Sequence, residues 1–200
     1  DGDFDLFLAN KDSTQVLYSN NGSSTFARMD SISGLNVGGA ARSVAWMDVN
    51  LDGWQDLLVT FSDSASRMFV NSGDSTFRDE APAEGIDLHG YYSSASWADP
   101  DGGGVPDIYM GRRNGANVYY NSDFTGNWLK VRLHGVVSSR FGVGAVVRVV
   151  SGGRRYLRII DGGSGSQSEP AALFGVDSSS TIDSLTVFWP AGLRRDTTNV

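Results

Sequence analysis

The chain contains no cysteine, which excludes disulfides, thiolate zinc sites and thiol catalysis while leaving the redox compartment open. Histidine is nearly absent too. His89 and His134 have no nucleophile elbow for company, because Gly163-Ser164-Gly165 lacks the Gly-x-Ser-x-Gly spacing and follows no strand-to-helix pattern. A Ser-His-Asp hydrolase is not expected. No apolar run approaches the ~20 residues of a membrane helix, and no basic-then-apolar leader opens the sequence. The expectation is a chain that neither spans a membrane nor carries its own export signal. Positive charge is scarce early on. Residues 1–127 hold 18 acidic and 7 basic side chains, a balance of −11, whereas residues 128–200 hold 5 and 9, a balance of +4. A nucleic-acid backbone would be repelled by the first part, so no nucleic acid is expected as partner, and bound cations would relieve the excess.

What is present is glycine, 25 residues of it, and many short apolar runs, which together read as an all-β chain with tight turns. At 40% hydrophobic residues there is enough apolar surface for a real core. Sliding the sequence by 51 positions superimposes Asp5-Leu6 on Asp56-Leu57 and Ser24-Thr25-Phe26 on Ser75-Thr76-Phe77. The same offset carries Ser43, Trp46, Asp48, Gly53 and Asp56 onto Ser94, Trp97, Asp99, Gly104 and Asp107. Each period reads as four short strands: Ser43 to Met47, Asp56 to Phe61, Arg67 to Asn71, and one near Phe77. Asn20-Asn21-Gly22 and Asn71-Ser72-Gly73 supply the last hairpin turns. Four strands in ~40–50 residues is the size of a propeller blade.

Between the first two strands of the period lies Asp48-Val-Asn-Leu-Asp-Gly-Trp-Gln-Asp56, with oxygen-bearing side chains at positions 1, 3, 5 and 9 and a glycine at position 6. A hard divalent cation takes about 6–8 oxygens at roughly 2.3–2.6 Å. Asp48, Asn50, Asp52, Asp56 and the Trp54 carbonyl supply most of such a set for Ca2+. An EF-hand would need Glu at position 12 and flanking helices; position 12 is Val59, inside an apolar run that reads as a strand. The competing readings are a solvated Asp-rich turn and a glycosidase carboxylate pair, which needs two carboxyls about 5–9 Å apart across a cleft. Recurrence at a fixed period favours the cation over both.

The third copy, Asp99 to Asp107, keeps Asp99, Asp101, Asp107 and the Val105 carbonyl but has Gly103 at position 5, so weaker binding is expected. The first copy begins at position 5, with Asp1, Asp3 and Asp5 as its candidates. About two and a half periods are present where closed propellers use roughly 4–8 blades, so further blades are expected upstream.

The pattern Trp-x-Asp-x-Asn-x-Asp-Gly-x-x-Asp-Leu at 46–57, repeating at a blade-like period over residues 1–126, resembles the FG-GAP and VCBS repeats of integrin-type propellers. That resemblance implies loops that bind calcium at the blade edge and stiffen it.

After residue 126 the acidic loops stop and Leu129, Val131 and Leu133 alternate with Lys130, Arg132 and His134, a half-buried strand. Further strands read at Ala145 to Val150, Arg155 to Ile160 and Ser184 to Trp189, giving a small β-sandwich-like domain over 127–200. Gly142-Val-Gly-Ala145, the Gly162 to Gln167 loop, Phe174-Gly175 and Trp189-Pro-Ala-Gly192 together resemble the ASPIC and UnbV domain. The chain stops soon after the last of these tokens, so a final strand is expected to be missing.

Trp46 and Trp97 recur in phase and read as blade core; Trp54, within the loop, reads as exposed and able to touch a ligand. Arg132, Arg148, Arg154, Arg155 and Arg158 read either as a solvated sheet face or as a surface that docks on the acidic blades or binds an anionic glycan, with Arg154, Arg155 and Arg158 as its candidate binding residues. The function expected is a non-enzymatic, calcium-binding module of an exported protein, extracellular or periplasmic, with a protein or glycan ligand. The alternative is a non-catalytic part of an enzyme whose active site lies upstream.

Overall fold

The computed structural model describes residues 3–29, 33–120, 123–137, 139–162 and 169–198. Its ladders are antiparallel throughout. The first blade comprises β1 (Leu6–Leu8), β2 (Val16–Asn20) and β3 (Phe26–Arg28). The second is a four-stranded meander of β4 (Ala41–Met47), β5 (Asp56–Phe61), β6 (Arg67–Asn71) and β7 (Phe77–Asp79). The third is β8 (Tyr92–Ala98), β9 (Asp107–Arg112) and β10 (Val118–Tyr120).

Strand β5 shows why the blades stack. All of its residues are buried, and the period-2 pleat sends alternate side chains to opposite faces. Leu57, Val59 and Phe61 enter a cluster with Phe7, Leu17 and Leu35 of the first blade, whereas Leu58 enters a cluster with Ala95, Ile108 and Met110 of the third. The middle blade is therefore sandwiched between its neighbours and has no solvated face at its centre. Trp46 meets Phe7 edge-on at 6.3 Å and Trp97 packs against the second cluster, which is the blade-core placement their phase suggests.

The hairpins repeat in detail. Asn20 and Asn71 each accept a hydrogen bond from the amide of the glycine two residues on, Gly22 and Gly73, at 3.0 Å, closing an Asx turn.

The four-strand reading of each period needs one correction. Phase places a fourth strand of the third blade at residue 128, and a strand does form there, β11 (Trp128–Val131). It pairs not with β10 but with β14 (Ala172–Gly175), so the second domain takes over that strand. The rest of this domain is β12 (Val146–Ser151), β13 (Arg154–Ile159), β15 (Ser184–Phe188) and β16 (Arg194–Thr198), ordered β13-β12-β15-β16. Val147, Val149, Tyr156, Ile160, Ala172 and Phe174 form its core between the two sheets. A strand the sequence reading did not mark, β16, follows Trp189-Pro-Ala-Gly192 and pairs along β15 with Leu185 opposite Thr197. It carries no apolar alternation because it is an exposed edge strand, where charges discourage further pairing. Apart from Gly162, the Gly162 to Gln167 loop lies outside the described residues, as does Asp1.

Candidate metal centre

The loop 48–56 is held from inside by its own amides. Asp48 Oδ2 accepts from Gly53 N at 3.1 Å, Asn50 Oδ1 from Asp52 N at 3.2 Å, and Asp52 Oδ1 from Trp54 N at 2.8 Å. Asp56 accepts from Val49 N through Oδ2 and from Asn71 N through Oδ1, both at 2.8 Å. Position 9 thus also ties the loop to the neighbouring hairpin. Asp5 makes the same tie in the first blade, accepting from Asn20 N at 2.8 Å. Asp3, at position 7 there, is exposed. In the third blade Asp107 Oδ2 accepts from Tyr119 Oη at 2.9 Å.

The loop 99–107 copies the position-1 arrangement: Asp99 Oδ2 accepts from Gly104 N at 3.1 Å, as Asp48 does from Gly53. Asp101 is exposed and accepts from Gly103 N at 2.8 Å, while Val105 is half-buried.

From outside, the second domain covers both loops. Gly175 N donates to Asp48 Oδ2 at 2.9 Å, and Asp177 N donates to the Leu51 carbonyl at 3.4 Å. Arg158 Nη2 reaches Asp48 Oδ2 at 3.4 Å and the Gly53 carbonyl at 3.2 Å, while its Nε donates to the Leu173 carbonyl. Arg154 donates to the Asp52 carbonyl at 3.1 Å and lies between the Trp54 ring, 4.5 Å from its centroid, and Tyr156. On the third blade, Lys130 forms an ion pair with Asp99 Oδ2 and a second with Glu169 at 3.1 Å; Arg132 also pairs with Glu169.

The fit is close enough to require glycine. A Cβ on Gly175 would overlap the Leu51 main chain, one on Gly53 would overlap Tyr156, and one on Gly104 would overlap the Trp128 indole. Leu51 itself sits at φ +60°, a left-handed conformation that is strained for a branched side chain, and it is buried against this cover.

Of the arginines singled out in the sequence, Arg154 and Arg158 face the loop 48–56, whereas Arg155 lies on the opposite, exposed face of β13. Arg148 lies over Phe188 and bonds Thr186. Trp54 is 38% exposed, and Arg154 rests on its ring. Lys130, Glu169 and Gly175 stood outside the candidate set, and only the alternation of β11 and the Phe174-Gly175 token pointed near them.

The electrostatics of the two loops differ. Burial pushes Asp48 up to about 6, against the pull of Arg158 and the Gly175 amide, with Asp52 adding to the rise. Burial pushes Asp56 up to about 8, two amides opposing and Asp48 and Asp52 adding. For Asp99 burial acts in the same direction, but Lys130 and the Gly104 amide outweigh it and hold the carboxyl below its ordinary value. Glu169 is likewise held low despite burial, by Arg132 and Lys130.

Whether a cation suits these residues can be judged from their unused atoms. Asp48 Oδ1 and Asp99 Oδ1, the same atom at position 1 of each loop, are buried and have no hydrogen-bond partner, while Oδ2 of each is fully engaged. A buried carboxylate oxygen without a donor is costly unless a cation meets it. Among the described residues no three Asp, Glu or His side chains stand as a metal cage by themselves. The donor set is mixed, with the Asn50 amide and the Trp54 carbonyl beside the carboxylates, all hard oxygens of the type calcium takes.

Comparison with known proteins matches an FG-GAP-like repeat at residues 1–59 and 48–110, and ASPIC and UnbV at residues 135–200. Cartilage acidic protein 1 of Mus musculus is 32% identical over 166 residues, covering 72% of this chain and 25% of the relative. Cartilage acidic protein 1 of Homo sapiens is 32% identical over 148 residues, covering 66% and 21%. The chain therefore spans a quarter or less of the length of these curated relatives. With its repeated blade and its loops in phase, the chain belongs to the family of FG-GAP-like repeat proteins and carries an ASPIC and UnbV domain after the repeats.

Proposed function

We propose that this chain is a calcium-stabilised, non-enzymatic binding module of an exported protein, acting in adhesion or a related contact with a protein or glycan ligand. The observation that supports it best is the bare, buried Oδ1 of Asp48 at the head of a loop whose remaining oxygens are hard donors. Asp48, Asn50, Asp52, Asp56 and the Trp54 carbonyl would hold the ion; the weaker copy would use Asp99, Asp101, Asp107 and the Val105 carbonyl. Calcium would neutralise carboxylates that burial otherwise holds above their ordinary pKa, and would stiffen the edge of the blade. Binding confined to the folded state adds about 2.7 kcal/mol when free calcium is 100 times its dissociation constant. Extracellular calcium would keep such loops filled, and the two relatives are named for cartilage, a matrix-rich tissue, which favours the same compartment. Among the described residues no helix is long and apolar enough to cross a membrane.

Thermal melts in calcium and in chelator test this reading. Calcium raises the melting temperature of the wild type, and Asp52→Ala loses most of that rise. Equal melting temperatures in the two buffers contradict it.

A further inference from the structure

In both loops the position-1 carboxylate is divided between two tasks. Its Oδ2 takes every donor: Gly53 N, Gly175 N and Arg158 for Asp48; Gly104 N and Lys130 for Asp99. Its Oδ1 takes none, although the side chains are 1% and 0% exposed. The loop supplies one donor in each case, and the second domain supplies the others. A carboxylate free to rotate about its χ2 bond would exchange the two oxygens; here the outer donors prevent it.

We propose that Arg158, with the Gly175 amide, and Lys130 are positioning residues of the calcium loops, so that the second domain completes sites whose ligands all lie on the blades. The inference rests on the calcium reading above. Ligating carboxylates depend on hydrogen bonds from the surrounding shell, and loss of such a partner costs typically about 10–100-fold in metal affinity. The two loops have different partners, Arg158 for 48–56 and Lys130 for 99–107, so the effects separate. A general loss of stability would weaken both sites together. A guanidinium or ammonium that merely competed with calcium for the carboxylate would give the opposite sign.

Calorimetric calcium titration of the full chain tests this in two backgrounds: Asp101→Ala, which leaves loop 48–56, and Asp52→Ala, which leaves loop 99–107. In the first, Arg158→Met weakens calcium about 10–100-fold and Lys130→Met leaves it unchanged. In the second, Lys130→Met weakens it and Arg158→Met does not. Should Arg158→Met fail to fold, Arg158→Lys replaces it; the shorter head cannot reach Asp48, Gly53 and Leu173 together, and the same weakening is expected. Unchanged or tighter binding in the matched background overturns the proposal while leaving the calcium reading intact. No calcium binding by the unsubstituted chain overturns both.

Discussion

The loops 48–56 and 99–107 occupy the same place in successive blades and make the same inner hydrogen bond, yet a different cation faces each. Loop 48–56 has three carboxylates and meets a guanidinium whose donors are shared among Asp48, two further carbonyls and the Leu157 carbonyl. Asp48 and Asp56 stay pushed up. Loop 99–107 has lost the position-5 carboxylate and meets an ammonium in direct contact with Asp99, and its first carboxyl is held low. Each loop has three carboxylates, but in 99–107 one of them stands at the exposed position 3 instead of position 5, and a close ammonium turns an electrostatic deficit into a balanced ion-pair network. The deficit is the stronger reason to expect a metal, so loop 48–56 is the better calcium site.

The largest expected effect breaks the comparison on its buried side. Arg158→Ala leaves Asp48 without its cation, and removing one partner of a buried ion pair costs about 3–5 kcal/mol. Urea unfolding in chelator measures it. Arg194→Ala, which removes an exposed partner of Asp196, changes the same midpoint far less, because solvent screens that pair.

A second prediction sharpens the electrostatic difference. In chelator, Asp48 and Asp56 have folded pKa values near 6 and 8, above their unfolded values. Their contribution is present at acid pH and is lost as pH rises from about 4 through 8. Asp99 and Glu169 are depressed, so their contribution is present above their unfolded values and lost as pH falls through the folded ones. Asp56→Asn therefore flattens the alkaline loss, and Lys130→Met removes part of the acid loss. Denaturant midpoints across pH check both, and calcium abolishes the alkaline loss by ionising Asp48 and Asp56.

Smaller effects test the steric cover. Gly102 and Gly104 both have positive φ, but a Cβ on Gly102 meets open space and one on Gly104 meets Trp128. Gly102→Ala costs about 1 kcal/mol of backbone strain, whereas Gly104→Ala costs that plus a similar or larger sum for displacing the indole. The difference in melting temperature reads the contact alone.

Much of the blade was legible because its signals are local. The 51-residue period, the bounds of β5 and β6 and the Asx turns follow from residues within one hairpin of each other. The strand that opens the second domain was legible from its alternation but not in its partner, because Trp128 pairs across to Gly175 and alternation carries no information about pairing. β14 went unread since Ala172-Leu-Phe-Gly is a short apolar run with no alternation. The loop ligands were named from spacing, but their outer partners lie 110 and 127 positions away for Arg158 and Gly175. No repeat places those residues, and only folding brings them to Asp48.

The most direct test of the central claim is calcium titration by calorimetry on the full chain at pH 8, with Asp52→Ala and Asp101→Ala beside it. The account predicts saturable binding in which Asp52→Ala removes the tighter site and Asp101→Ala at most a weaker one. A folded chain that takes up no calcium, or one whose tighter site is lost in Asp101→Ala and kept in Asp52→Ala, contradicts it.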